Sequence, residues 1–150
     1  MKNTGSEELE YEEALHTYLE VGDVEKVQLL GLEGTKFVDK VDAAQEKKTG
    51  REPLVLRAET DRVFHGTKSA VTIVDPSLGR HLKVEKTGSL STVVWNPWLV
   101  KAQAMPDVGG EAWRSFVCVE AANVGPHRVM LPAGAVHATS TRVSVIPQTR

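Results

Sequence analysis

The chain has 150 residues, of which 41% are hydrophobic and 25% are charged, and its formal net charge is -2. This composition is typical of one globular domain with its own hydrophobic core. Lysine and arginine form no dense run, so we predict neither a nucleic-acid partner nor binding to an anionic membrane surface. The sequence also contains no apolar run long enough to cross a bilayer.

The first residues, "MKNTGSEELEYEE", are polar and acidic where a secretory signal would need an apolar stretch. We therefore expect a cytoplasmic protein, with a plastid location as the open alternative. Cys118 is the single cysteine, so no internal disulfide can form, which agrees with a reducing compartment. We expect residues 1–8 to be frayed, residues 9–147 to form one β domain and residues 148–150 to be a tail.

Short β-like runs follow one another through the first half of the chain. Polar and apolar residues alternate from Leu9 to Val21, which predicts a strand. Two shorter runs on either side of the turn signal at Gly31 to Gly34 predict two more strands. The polar residues 42–52 predict a surface loop, and residues 53–64 predict another long strand.

The second half continues the same pattern. Alternating runs flank Asp75 to Gly79, which predicts a hairpin. Val93 to Trp95 predicts a strand that ends at an Asn-Pro turn, and residues 109–115 predict one helical turn. The stretch "FVCVEAANV" has the composition of a buried strand. With the runs after Arg128 the count is about nine strands, which predicts an antiparallel all-β sandwich.

Several kinds of functional site are not indicated by the motifs. The histidines at positions 16, 65, 81, 127 and 137 form no His-Glu-x-x-His or His-x-His pattern, and one cysteine cannot supply a thiolate cluster, so we expect no metal. We find no glycine-rich phosphate loop before a helix and no Gly-x-Ser-x-Gly elbow, which argues against nucleotide chemistry and the usual serine hydrolases. No cofactor is predicted.

Glu120 is a candidate general base because it lies in an otherwise apolar segment. Alternation places it on the same side of its strand as Phe116 and Cys118. A carboxylate in that position is partly desolvated, which raises its pKa and suits it to accept a proton near neutral pH. The alternative is a glutamate at the end of a strand that simply reaches water.

His16 and Asp61 are the other candidates. His16 lies on the more polar side of its predicted strand, beside Ala14 and Tyr18, and imidazole in general exchanges a proton near pH ~6.5. A solvent-facing or hydrogen-bonded strand histidine is the alternative reading. For Asp61, the alternative is an exposed aspartate held in a salt bridge. We assign no role to the other four histidines.

Four stretches, in order and at matching separations, resemble the C-terminal half of the hexose-6-phosphate mutarotases, or glucose-6-phosphate 1-epimerases, of the galactose-mutarotase-like superfamily. They are "ALHTYLEV", "GLEGTKFVDKV", "ETDRVF", and "VVWNPWLVKAQAMPDVG" running into "FVCVEAANV". The resemblance covers roughly residues 11–146. It implies a β-supersandwich with a sugar-phosphate cleft on its concave face.

The resemblance also implies an activity and residue roles. The reaction would interconvert the α and β anomers of a hexose 6-phosphate, with neither metal nor coenzyme. Glu120 would take the proton of the anomeric hydroxyl while His16 protonates the ring oxygen, and Asp61 would accept hydrogen bonds from sugar hydroxyls. Lys101 is expected near the rim of the cleft.

The stretch Trp95-Asn96-Pro97-Trp98 matches the family's signature turn, and its rings either anchor the core or stack directly on the sugar. Family members are about twice the length of this chain. The half without a counterpart here would carry further strands, another active-site position and arginines that hold the phosphate. We therefore keep a non-catalytic module that binds carbohydrate or protein as the alternative, and we expect self-association through exposed strand edges.

Overall fold

A computed structural model describes residues 1–147 of the chain. Within these residues the elements are thirteen strands, one α-helix and two 3₁₀ helices. The strands are β1 (Leu9–Tyr11), β2 (Glu13–Leu15), β3 (Tyr18–Glu20), β4 (Gln28–Leu30), β5 (Lys36–Asp39), β6 (Gln45–Lys48), β7 (Thr60–His65), β8 (Val71–Asp75), β9 (Arg80–Thr87), β10 (Ser91–Asn96), β11 (Phe116–Asn123), β12 (Val129–Leu131) and β13 (Ser140–Pro147). The helix α1 spans Trp98–Gln103, and the 3₁₀ helices span Ala112–Ser115 and Gly125–His127.

The strands form two main antiparallel sheets. The larger sheet has seven strands in the order β2-β11-β10-β7-β5-β6, with β3 also pairing with β11. The smaller sheet has four strands in the order β13-β9-β8-β4, and β1 pairs separately with β12. The prediction of an antiparallel all-β sandwich is confirmed.

The main core lies between the two sheets. Alternate residues of the larger sheet, including Val94, Val117 and Phe64, are buried in one cluster with Leu29 and Ile73 of the smaller sheet. Because successive side chains of a strand point to opposite faces, the intervening residues of β7, β10 and β11 lie on the other face of the larger sheet. The candidate site residues Asp61 and Glu120 are among them.

The prediction of one continuous N-terminal strand is wrong. The predicted single strand from Leu9 to Val21 is divided into β1, β2 and β3, because the segment changes partners. β1 pairs with β12, whereas β2 and β3 pair with β11 on either side of a break at His16 and Thr17. Sequence alternation continues through this break, so periodicity alone does not reveal it.

Two predictions in the middle of the chain are also corrected. Residues 42–52 are not wholly loop, because β6 pairs with β5 at the edge of the larger sheet. Residues 53–64 are not one strand: Leu54 forms an isolated bridge with Leu29 of the smaller sheet, and β7 begins only at Thr60 in the larger sheet. The segment crosses from one sheet to the other, which breaks the strand.

The predictions of a hairpin and of a helical turn are confirmed. β8 and β9 pair directly around residues 75–80, and residues 112–115 form a 3₁₀ helix. The helix α1 after the Asn-Pro turn was not predicted. Its six residues are too few to show a helical period, and Val100 is a weak helix former.

The first residues pair with the C-terminal part of the chain, although the sequence indicates a frayed start. Lys2 bridges Val136, and the buried Asn3 side chain donates hydrogen bonds to the carbonyls of Leu131 and Glu7. The predicted tail at residues 148–150 lies outside the described residues. No helix in residues 1–147 is both long enough and apolar enough to span a membrane.

Both main sheets have exposed edges. β6 carries lysines at positions 47 and 48, which discourage edge pairing, whereas β13 exposes Val143, Val145 and Ile146. Self-association through strand edges remains a prediction.

Candidate active site

The carboxylate of Glu120 is held by the most buried strand of the larger sheet. All eight residues of β11 are buried, and Glu120 itself is only 4% exposed. Strand β11 lies between β10 on one side and β2 and β3 on the other, where Glu120 pairs with Val93. The prediction of a desolvated carboxylate is therefore confirmed, and the alternative of a water-exposed strand end is wrong.

His16 lies directly against this carboxylate. It occupies the break between β2 and β3, and its Nδ1 atom is 3.4 Å from Oε1 of Glu120. The His16 side chain is 46% exposed, so one member of the pair is solvated while the other is not. The break in the strand frees the imidazole from a fixed position in the sheet and turns it toward β11.

Two aromatic rings contact the imidazole beside Glu120. The ring of Tyr18 stacks on His16 with centroids 5.0 Å apart and an interplanar angle of 12°. Trp95 meets His16 edge-on at 5.3 Å, and Phe116 contacts both Tyr18 and Trp95. These rings restrict the orientation of the imidazole and keep one wall of the site apolar.

The environment of Glu120 favours its protonated form. Burial, together with the smaller effect of the negative charge of Asp61, raises the pKa of Glu120 to about 7. His16 opposes this only when the imidazole is charged. Within residues 1–147, His16 is the only basic side chain that forms an ion pair with Glu120. The carboxylate is therefore poised to gain and lose a proton near neutral pH.

Asp61 lies on the same face of the sheet, two strands from Glu120. It pairs with Trp95 across β7 and β10, and Trp95 in turn pairs with Cys118 across β10 and β11. Asp61 is half-buried and forms no salt bridge among the described residues. The alternative of an exposed, salt-bridged aspartate is therefore wrong, and the carboxylate is free to meet a ligand on this face.

Cys118 is the third polar group beneath His16. It is fully buried, and its sulfur, a carboxylate oxygen of Glu120 and a ring nitrogen of His16 all lie within 4.8 Å of one another. Burial raises the pKa of the Cys118 thiol, and the charge of Glu120 raises it further. No role in the site is predicted for Cys118 from the sequence.

The two tryptophans of the signature turn serve different clusters. Trp95 packs with Phe116 and Cys118 on the site face, whereas Trp98 packs against Trp113 at 4.4 Å beside the main core. Core anchoring thus describes Trp98, and Trp95 forms part of the wall around His16.

Asn96 fixes this division between the two clusters. Its fully buried side chain donates hydrogen bonds to the carbonyls of Trp113 and Phe116 and accepts one from the Trp98 backbone N–H. Trp98 has a φ of +57°, a conformation that is costly for a bulky residue and that the Asn96 bonds hold in place.

Lys101 extends from α1 toward the aromatic wall. Its Nζ atom lies 6.0 Å from the ring centroid of Trp95 and 3.0 Å from a carboxylate oxygen of Glu59. The expected position near the rim of the site is consistent with these contacts, although its charge is already engaged by Glu59.

Comparison with known proteins identifies relatives of this chain. The aldose 1-epimerase family profile matches residues 1–144. The chain belongs to the aldose 1-epimerase family. Its relatives include two proteins named "Putative glucose-6-phosphate 1-epimerase". The one from Cenchrus ciliaris is 34% identical over 81% of this chain, and the one from Escherichia coli K12 is 37% identical over 77%.

The epimerase-family chain is shorter than these relatives. The matched part covers 37% of the Cenchrus ciliaris protein and 39% of the Escherichia coli protein. A solved structure described as a "putative mutarotase" from Salmonella typhimurium superposes with a TM-score of 0.86 and 28% identity. That superposition covers 94% of this chain and 47% of the solved one. The chain thus spans about half the length of the proteins it matches.

The structure brings His16, Glu120 and Asp61 onto one face of one sheet of this epimerase-family fold. Sequence reasoning missed the supporting residues Tyr18 and Cys118. Alternation places Cys118 on the same face of β11 as Glu120, but a small apolar side chain there does not by itself indicate a site residue, and Tyr18 lies in β3, beyond the break at His16.

Proposed function

We propose that this chain interconverts the α and β anomers of a hexose 6-phosphate by acid–base ring opening and reclosure. The observation that carries the proposal is the contact between a buried carboxylate and a half-exposed imidazole, Glu120 and His16, at 3.4 Å. The names of the relatives supply the substrate class, because they are described as glucose-6-phosphate 1-epimerases. We place the reaction in the cytoplasm.

The short distance between the two groups fits the geometry of the reaction. The hydroxyl oxygen and the ring oxygen that must exchange protons are both bonded to C1 of the sugar. An acid and a base that act on two oxygens of one carbon need to lie close together, and these two side chains do. His16 can also move aside to admit the sugar, because it is half-exposed and lies outside the strands.

The proposed steps conserve protons and electrons. Ionised Glu120 accepts the proton of the C1 hydroxyl while protonated His16 donates one to the ring oxygen. The electron pair of the former O–H bond forms the carbonyl, and the C1–O5 bond breaks. Rotation about C1–C2 presents the other face of the aldehyde, and the reverse transfers close the ring. Each positioned proton transfer contributes about 10² to 10⁴ in rate.

Asp61 is proposed to orient the sugar rather than to exchange protons. Its half-buried carboxylate lies on the site face and can accept hydrogen bonds from sugar hydroxyls. Trp95, between Asp61 and Cys118, provides an apolar surface on which the face of a pyranose ring can rest.

Anomer exchange of glucose 6-phosphate, followed by exchange NMR, tests the proposal. The wild-type chain is expected to accelerate exchange above the spontaneous rate, and Glu120→Gln is expected to abolish the acceleration. The matched control is Glu46→Gln, which removes an exposed glutamate from the edge strand β6. A folded wild-type chain that leaves the spontaneous rate unchanged would reject the proposal.

The chain length supports a second candidate function. A chain that covers 37% to 39% of its relatives could retain the sugar-facing surface without turnover and act as a module that binds carbohydrate or protein. This reading predicts that glucose 6-phosphate perturbs the NMR signals of Trp95 and Asp61 while the exchange rate stays spontaneous. Acceleration that is lost in Glu120→Gln would exclude it.

A further inference from the structure

Three potential metal ligands converge at the candidate active site. A ring nitrogen of His16, the sulfur of Cys118 and a carboxylate oxygen of Glu120 lie within 4.8 Å of one another. Two of them are almost completely buried: Cys118 is 0% and Glu120 is 4% exposed. Cys118 and Glu120 are two residues apart on β11, but His16 lies about 100 residues away in sequence, so no local spacing motif reveals the group.

We propose that His16, Cys118 and Glu120 form a site for Zn²⁺ with three protein ligands. Imidazole nitrogen, thiolate sulfur and carboxylate oxygen are the donors that Zn²⁺ takes in proteins, and a thiolate selects against Mg²⁺ and Ca²⁺. Three protein ligands leave a fourth position for water or another small ligand. That position lies on the side of His16, where the site reaches solvent.

The distances require only a small adjustment. Ligand bonds of 2.0 to 2.3 Å place the donor atoms of one tetrahedral ion about 3.5 Å apart, so the widest pair has to close by about 1 Å. His16 and Glu120 are already 3.4 Å apart, so the adjustment concerns the distances to the Cys118 sulfur, and His16 can follow it because it lies in the break between β2 and β3. Its stacking on Tyr18 already directs the ring toward the strand.

The charge around the site also favours a cation. Asp61 acts on Glu120 as a second negative charge, and Lys101, which lies beside Trp95, is engaged by Glu59. A buried thiolate and a buried carboxylate are costly without a compensating positive charge, and a divalent ion supplies it. Binding would release the thiol proton and any proton on the carboxyl group to solvent.

Occupation of this site would withdraw both proton-transfer groups, so Zn²⁺ would inhibit the proposed epimerisation. The binding itself does not depend on the proposed function, because an inactive chain would still hold the ion. A direct binding measurement therefore separates failure of the metal site from failure of the catalytic proposal.

Metal titration of the full chain, purified without a polyhistidine tag and freed of chelator, tests the inference. With Co²⁺ as the probe, we expect a thiolate-to-cobalt charge-transfer band in the near ultraviolet that saturates at one equivalent. Zn²⁺ should displace the Co²⁺ and show the same stoichiometry by calorimetry. Absence of the band, or binding of Zn²⁺ without release of Co²⁺, would overturn the proposal.

Two ligand variants and one control make the result specific. Cys118→Ser and His16→Ala should each weaken Zn²⁺ binding at least about 100-fold, since even loss of an outer-sphere partner costs up to that much. His16→Ala alters a half-exposed side chain, so it decides the outcome should the buried Cys118→Ser chain fail to fold. The control is His127→Ala, which removes a histidine away from the proposed site, whose ring centroid lies 5.7 Å from that of His65. Binding lost only in the control, or unchanged in His16→Ala, would refute the assignment.

Discussion

The imidazole of His16 and the carboxylate of Glu120 are in contact at 3.4 Å but differ widely in exposure, at 46% and 4%. The carboxylate is therefore fixed on an interior strand of the larger sheet, while the imidazole is solvated and lies outside the strands. This asymmetry favours a site in which desolvation raises the pKa of Glu120 and the exposed His16 can move to admit the substrate. It also determines how each group responds to substitution and pH.

Replacement of Glu120 by Gln should stabilise the fold increasingly as the pH rises. The pKa of Glu120 increases from an ordinary value of 4.5 to about 7 on folding, so the native state binds the proton more tightly than the unfolded state. The stability that this proton contributes is fully present below about pH 4.5 and is lost as the pH rises through about 7. The free energy of unfolding of the wild-type chain should therefore fall by on the order of 3 kcal/mol over this pH range, and that of Glu120→Gln should not show this fall.

Urea unfolding of both chains between about pH 4.5 and about pH 8, in buffer with a chelator, measures this difference. Parallel pH dependence of the wild-type and Glu120→Gln chains would show that the carboxyl is not desolvated as described.

Asp61→Asn should shift the acid limb of the activity profile to lower pH. Asp61 raises the pKa of Glu120, so removal of its charge lowers that pKa and ionises the base at a lower pH. The same variant should raise KM, because it weakens hydrogen bonding to sugar hydroxyls. A pH series of kcat/KM measures the shift of the acid limb. Saturation curves at a pH well above that limb measure the rise in KM. An unchanged acid limb would remove Asp61 from the electrostatics of the site.

The secondary structure shows which parts of the sequence carry local information. Strand β11 could be predicted because eight consecutive buried residues exclude other environments, and the hairpin between β8 and β9 because turn residues separate two alternating runs. Strand β6 could not, because its residues are polar on both faces at a sheet edge and only pairing with β5 makes them a strand. The tight turn before it, with positive φ at Ala43 and Ala44, has no glycine to signal it.

The candidate site was predictable in part. The burial of Glu120 followed from its apolar neighbours, whereas the contact with His16 depends on how β2 and β3 pair with β11, which no local pattern encodes. The resemblance to the mutarotase family implied that the two residues act on one sugar, but it did not provide the strand pairing. Cys118 escaped notice as a site residue because a small, uncharged side chain in an apolar strand is indistinguishable from core.

Asn96→Ala should destabilise the fold by about 2 to 4 kcal/mol. The substitution leaves two buried carbonyls and one backbone N–H without the Asn96 side chain as a partner, and each unsatisfied buried group costs about 1 to 3 kcal/mol. It also releases the positive φ of Trp98, which the turn imposes. Urea denaturation monitored by tryptophan fluorescence gives the value.

Asn96→Asp serves as the matched variant for that turn, because it keeps the acceptor for the Trp98 N–H, loses the two donated bonds and places a buried carboxyl group against the two carbonyls. A free energy of unfolding for Asn96→Ala within about 0.5 kcal/mol of the wild type would lie in the usual range for surface substitutions. That result would show that the Asn96 bonds do not hold Trp95 and Trp98 in separate clusters.

A double-mutant cycle of anomer exchange with glucose 6-phosphate tests whether Glu120 and His16 act as one unit. The variants are Glu120→Gln, His16→Ala and the double substitution, each verified as folded and assayed with a chelator. Groups that act as one unit show strongly non-additive losses, so we predict that each single variant loses most of the acceleration and the double variant loses no more. Independent losses that multiply in the double variant, or full activity in either single variant, would contradict the paired action of Glu120 and His16.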